Sequence, residues 1–252
     1  MSLAMSSLDR LLGGRLAQRD FERRFDRYLD TNSWRPGDGE ALLSAFLGSA
    51  GKALTAAAEQ TTAVRPSYDF AEAQDVLGLW SAPGSLDRAL SDLRAQGFAL
   101  LDARLSDDLV ETLSDTFAQA PCTLTSDRPI TLPAGETVTV DFEAPLAEKY
   151  AVTTRAALNS PTVRSLLLDR GLLQIAQAYL GAAPTVDIVA AWYSFPGPAA
   201  SAEAAQLFHF DLDRIRWLKV FFLLTDQDAE TGAHVYVPGT HRDNGISRTL
   251  LN

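Results

Sequence analysis

Apolar residues at Leu8, Leu11, Leu12, Leu16, Phe21, Phe25 and Tyr28, with charges between them, follow the spacing of an amphipathic helix over 8–29, with Gly13-Gly14 as its weak point. A turn-rich break over 32–39 separates it from an Ala- and Leu-rich stretch, 40–60, which predicts a second helix. Residues 61–67 read as a connector, and 68–80 as a short helical or irregular piece whose aromatics are packing residues. Pro83-Gly84-Ser85 opens a new pattern, so the expected organisation is a helical extension over 1–82 followed by a second domain over 83–252.

In that second part, 85–96 predicts a helix with Ser85 as N-cap and Gly97 as its left-handed stop. Phe98-Ala-Leu-Leu reads as a short strand, and Ser106 caps a helix over 107–118 whose Leu109, Leu113 and Phe117 share a face. The alternation at 137–142 predicts a strand, and 161–180 a helix capped by Ser160 and stopped by Gly181. Thereafter the apolar runs 186–195, 217–224 and 233–237 have strand length, separated by a Pro/Gly/Ala/Ser loop over 196–205 and an acidic turn over 226–232. The C-terminal third is thus expected to be mostly β, with helices before it.

Composition narrows the function without naming it. The 252 residues, 46% hydrophobic and 21% charged, are those of a globular chain. A net charge of −10 argues against non-specific binding to nucleic acid or anionic membranes. A single cysteine, Cys122, excludes an intramolecular disulfide or a Cys-rich zinc site. No apolar run spans a bilayer and no secretory leader is visible, so a cytoplasmic location is the expectation.

All three histidines, His209, His234 and His241, fall within 206–241. His209 and Asp211 stand two residues apart, which on an extended strand turns an imidazole and a carboxylate to one face. That pairing is two thirds of the facial triad of non-haem Fe(II) oxygenases. Lys219 and Phe221 share a face of the next apolar run, and Lys219 either snorkels to solvent or points its ammonium at an anion. Arg214 and Arg216 are open between an anionic substrate and acidic neighbours such as Asp213. His234 and His241 are open between structural hydrogen-bonding roles and a third metal ligand. No phosphate loop, nucleophile elbow or zinc motif is present.

Gln206-Leu-Phe-His209-Phe-Asp211, Arg216-Trp-Leu-Lys219-Val, Thr231-Gly-Ala-His234 and Val237-Pro-Gly-Thr-His241, in this order, resemble the phytanoyl-CoA dioxygenase family. Upstream, Leu93-Arg-Ala-Gln-Gly-Phe-Ala-Leu-Leu and Leu105-Ser-Asp-Asp-Leu-Val resemble its opening helix–strand–helix, so the likeness covers about 85–252. The resemblance implies an α+β chain with a double-stranded β-helix core, a jelly-roll of the cupin type. It implies Fe(II) bound by His209 and Asp211, 2-oxoglutarate as co-substrate, with Lys219 and Phe221 as candidates to contact it, and O2 as oxidant. An aspartate at 211 favours hydroxylation, here of a small or lipid-like organic substrate, over halogenation. The family's distal histidine and 2-oxoglutarate-binding arginine are not found up to residue 252, so the core is expected to be incomplete at its C-terminal end. The alternatives are a non-catalytic β-helix domain, or a cupin-like metal protein with His234 or His241 as third ligand.

Overall fold

Why the N-terminal helices form is visible in their buried faces. The computed structural model describes residues 19–28, 30–31, 33, 35–62, 67–126, 130, 136–196, 207, 209, 211, 214–228 and 231–241. Helix α1, residues 19–28, buries Phe21 and Phe25 one turn apart, their rings stacked at 5.7 Å. They pack on Leu42 and Ala45 of α2 (Asp38–Ser49) and on Ala53, Leu54 and Ala57 of α3 (Lys52–Thr62). The single helix expected over 40–60 is two helices. The chain turns at Ala50 (φ 54°) and Gly51 (φ 91°), and the Ser49 hydroxyl accepts the Ala53 N–H at 3.0 Å. Two successive left-handed residues end an α-helix regardless of the propensity around them.

Among the described residues no single helix is long and apolar enough to cross a membrane. The α2–α3 pair reaches that length and composition only jointly, across a 116° bend.

The helix α4 (Ser85–Gln96) has the expected bounds and ends at Gly97 in the left-handed region (φ 89°). Its N-cap is Gly84 rather than Ser85, which is the first helical residue and caps nothing. Then α5 (Asp107–Ala118) is capped by the Ser106 hydroxyl, which accepts the Leu109 N–H. Thr153 caps α6 (Thr154–Asn159), and Ser160 caps α7 (Pro161–Leu167) with Pro161 in its first turn. The helix expected over 161–180 stops at Leu167 and restarts as α8 (Arg170–Leu180). Asp169, fully buried, causes the restart: its carboxylate accepts the N–H of Leu172 at 2.9 Å and of Leu77 at 3.0 Å.

The second of those bonds ties the 67–81 segment to α8. Gln177 grips the Tyr68 backbone through its amide oxygen (2.8 Å) and nitrogen (3.1 Å), and the Arg170 guanidinium lies 4.0 Å over the Trp80 ring. Leu79 packs with Ala89 and Leu93 of α4 and Leu172 and Ile175 of α8 to form a separate apolar cluster.

Three short strands, β1 (Cys122–Thr125), β2 (Lys149–Val152) and β3 (Ala191–Ser194), form an antiparallel sheet in that order. The register sets Cys122 opposite Val152, and Tyr150 opposite Leu124 and Tyr193. These residues form the inner face and pack on Leu113 and Phe117 of α5 and Val163 and Leu166 of α7. Tyr150 is fully buried, and its phenolic oxygen accepts the Leu146 N–H at 2.6 Å. By the period of two, Thr123, Lys149, Ala151 and Trp192 take the outer face.

The apolar runs behave unevenly. Of 186–195 only Ala191–Ser194 enters the sheet, and of 137–142 only Val138 bridges, to Cys122. Segments 98–101, 217–224 and 233–237 run without a strand ladder. Even so, 221–224 keeps its alternation: Phe222 and Leu224 pack on the core while Phe221 and Leu223 face outward, whereas Val220 is exposed along with Lys219.

Candidate functional site

His209 and Asp211 lie side by side at the surface, with Nε2 of the histidine 3.5 Å from Oδ1 of the aspartate. Nδ1 of His209 lies 2.8 Å from the Leu207 carbonyl oxygen. A proton on Nδ1 satisfies that carbonyl and leaves the Nε2 lone pair facing Asp211. The other carboxylate oxygen, Oδ2, accepts a hydrogen bond from the Lys219 ammonium at 2.5 Å. The two oxygens of Asp211 are therefore divided, one toward the imidazole and one toward a cation.

The ammonium of Lys219 also lies 4.4 Å from the centre of the Trp217 ring. Of the two roles left open by the sequence, its pairing with Asp211, eight residues back, is the second, with an internal carboxylate as the anion. An ammonium has three N–H donors, and Asp211 takes one. Phe221 lies 4.8 Å from the His234 ring and 6.1 Å, edge-on, from Trp192. His234 stacks at 6.1 Å on Tyr236, which stacks at 5.4 Å on Phe98. Burial, and secondarily the charge of nearby Asp211, push the Tyr236 phenol above its ordinary pKa.

Sequence candidates separate accordingly. His209, Asp211, Lys219, Phe221 and His234 fall in one region. His241 is held elsewhere: its Nε2 lies 3.4 Å from the Arg94 carbonyl oxygen, against the end of α4. A Cβ added at Gly97 would stand 2.4 Å from the His241 ring, so the glycine makes room for the imidazole as well as for its own φ of 89°. Arg214 pairs with Asp187 at 2.7 Å, and Arg216 donates to the Tyr179 carbonyl at 2.7 Å. Cys122 is buried in the core, where burial raises its thiol pKa and keeps it protonated.

For a metal ion the pair supplies two donors. Donor atoms about 2.1 Å from one ion lie about 3 Å apart when the bonds are at right angles, and further apart at wider angles. The 3.5 Å separation is within that reach. Among the described residues no group of three or more His, Cys, Asp or Glu side chains is placed to hold an ion, so neither His234 nor His241 completes a cluster with the pair. Trp192, Tyr236 and Phe98 carry no site signal in the sequence. Each belongs to an apolar stretch in which nothing local marks an aromatic as exposed, and their meeting depends on long-range packing.

No family model, curated protein or solved structure matches the chain.

Proposed function

We propose that this chain is an Fe(II)- and 2-oxoglutarate-dependent oxygenase of the phytanoyl-CoA dioxygenase type, on a double-stranded β-helix core, that hydroxylates a small or lipid-like organic substrate. The observation that carries the reading is the His209–Asp211 geometry: Nδ1 engaged by a backbone carbonyl, and Nε2 turned to a carboxylate oxygen 3.5 Å away. A backbone acceptor on the far nitrogen fixes the tautomer and ring orientation that a ligating imidazole needs. In this reading His209 Nε2 and Asp211 Oδ1 hold the metal, and Lys219 steadies Asp211 through the other oxygen. The remaining ammonium donors of Lys219 are then available to the carboxylate of the co-substrate. Phe221 and its aromatic neighbours form an apolar wall beside the pair, which limits water and orients the substrate's reacting C–H bond. The metal and 2-oxoglutarate supply the oxidising chemistry; the protein supplies ligands and position.

The test is an anaerobic titration with Fe(II) and 2-oxoglutarate, following the charge-transfer absorption of the chelated iron. The band should appear in the wild type and be lost in His209→Ala and Asp211→Ala. In Lys219→Met it should persist at raised 2-oxoglutarate, with apparent affinity for the co-substrate weakened about five- to tenfold. No band in the wild type, or an undiminished band in His209→Ala, overturns the reading.

A further inference from the structure

On the outer face of the sheet, the Lys149 ammonium sits 5.0 Å from the centre of the Trp192 ring. It has no carboxylate partner among the described residues, whereas Lys219 and Arg214 are each paired with an aspartate. Trp192 beneath it begins the aromatic row, with Phe221 edge-on to it at 6.1 Å, His234 4.8 Å further, and Tyr236 stacked at 6.1 Å beyond. Trp192, Phe221 and Tyr236 are 38%, 37% and 48% exposed, so the row offers ring surface to a ligand. The Trp192 end of the row thus carries a positive charge that no carboxylate among the described residues neutralises.

We propose that this row is a binding subsite for a carboxylic acid with a flat or extended apolar body. Lys149 takes the carboxylate, and the body lies along Trp192 and Phe221 toward His234 and Tyr236. Charge complementarity selects the acid end, because a cation over a ring binds an anion without having to leave an internal partner. The exposed rings bind apolar surface, flat bodies best. That the acid is the substrate of the His209–Asp211 site rests on the oxygenase reading; the subsite itself does not.

The experiment uses the full chain and two probes of one shape, 2-naphthoate and neutral 2-naphthalenemethanol, titrated by calorimetry or ligand-observed NMR. The acid should bind about five- to tenfold more tightly than the alcohol at low salt. Lys149→Met should remove that preference and leave alcohol binding unchanged, Lys149→Arg should keep it, and Trp192→Leu should weaken both probes. Equal binding of acid and alcohol to the wild type overturns the proposal without requiring a variant, as does an unchanged preference in Lys149→Met. Titrating the same samples with Fe(II) and 2-oxoglutarate separates the two failures. An acid preference without an iron band removes the oxygenase reading and keeps the subsite, whereas an iron band without an acid preference does the reverse.

Discussion

Single residues carry most of the polar organisation of this chain, and Asp38 shows how. It lies at the start of α2 with its side chain almost wholly buried. Its carboxylate accepts hydrogen bonds from Arg27 (2.5 Å), Arg24 (2.9 Å) and the Arg35 N–H (2.7 Å). The Arg27 hydrogen bond, against the opposing effect of burial, leads the interactions that hold its pKa far below the ordinary carboxylate range. A depressed folded-state pKa contributes stability in full above the unfolded value of about 4 and loses it as the pH falls below that. Asp38→Asn should therefore lower the urea midpoint clearly at pH 7, and the gap from wild type should narrow as the pH falls from 5 to 3. A gap that stays constant with pH would show that the ionised form is not what Asp38 contributes. Residue chemistry was also what the sequence disclosed best at the candidate site. His209 and Asp211 adjoin because they stand two positions apart in the chain, which needs only local backbone geometry. The Lys219 bond to Asp211 and the Lys149–Trp192 contact span a turn or two strands, and no local pattern encodes them.

At the scale of elements, legibility followed the caps. Ser106, Ser160 and the glycines Gly97 and Gly181 stand at helix ends where the sequence places them, because capping is decided within a single turn. The breaks at Ala50-Gly51 and Asp169 carry local signals, the left-handed Gly51 and the Asp169 cap on the Leu172 N–H, but the apolar pattern runs through both points and hides them; only the Asp169 bond to Leu77, 92 residues away, has no local trace. The strands were the least legible elements. Residues 221–224 alternate as a strand should but find no ladder partner among the described residues, so apolar period and hydrogen-bond pairing are separable signals. The contact of α8 with the 67–81 segment can be tested at Gly171. A Cβ built there would stand 2.5 Å from Leu79 Cβ and 3.3 Å from the Trp80 backbone nitrogen. Gly171→Ala should gain slightly in helix propensity yet lose about 1–3 kcal/mol net, since neither the helix nor the segment can yield without breaking the Asp169 and Gln177 bonds. Equilibrium unfolding checks this, and a neutral or stabilising substitution would show that the segment is loosely held.

Across the molecule, the apolar interior is divided. The cluster of α1, α2 and α3 joins the rest through Ile215 among its partly buried neighbours, while the sheet cluster and the α4–α8 cluster share Leu77 and Phe222. Two clusters that share side chains cannot open independently, because unfolding one leaves a cavity in the other; a cluster that, among the described residues, is linked through Ile215 can. The difference predicts two levels of stability. Leu42, 1% exposed at the centre of the first cluster, should cost about 2–5 kcal/mol when cut to alanine. That loss should be local. In native-state hydrogen exchange of Leu42→Ala, amides of α1–α3 should lose protection, while those of α4, α5, α8 and the sheet keep wild-type values. Phe222→Ala should do the opposite, lowering protection in the sheet and in α4 and α8 together, because its ring is common to both clusters. Equal loss across all helices in Leu42→Ala would mean that the N-terminal helices and the remainder unfold as one unit. The local outcome would leave the surface bearing His209, Asp211 and the aromatic row supported by the two coupled clusters, with α1–α3 free to vary in stability without disturbing it.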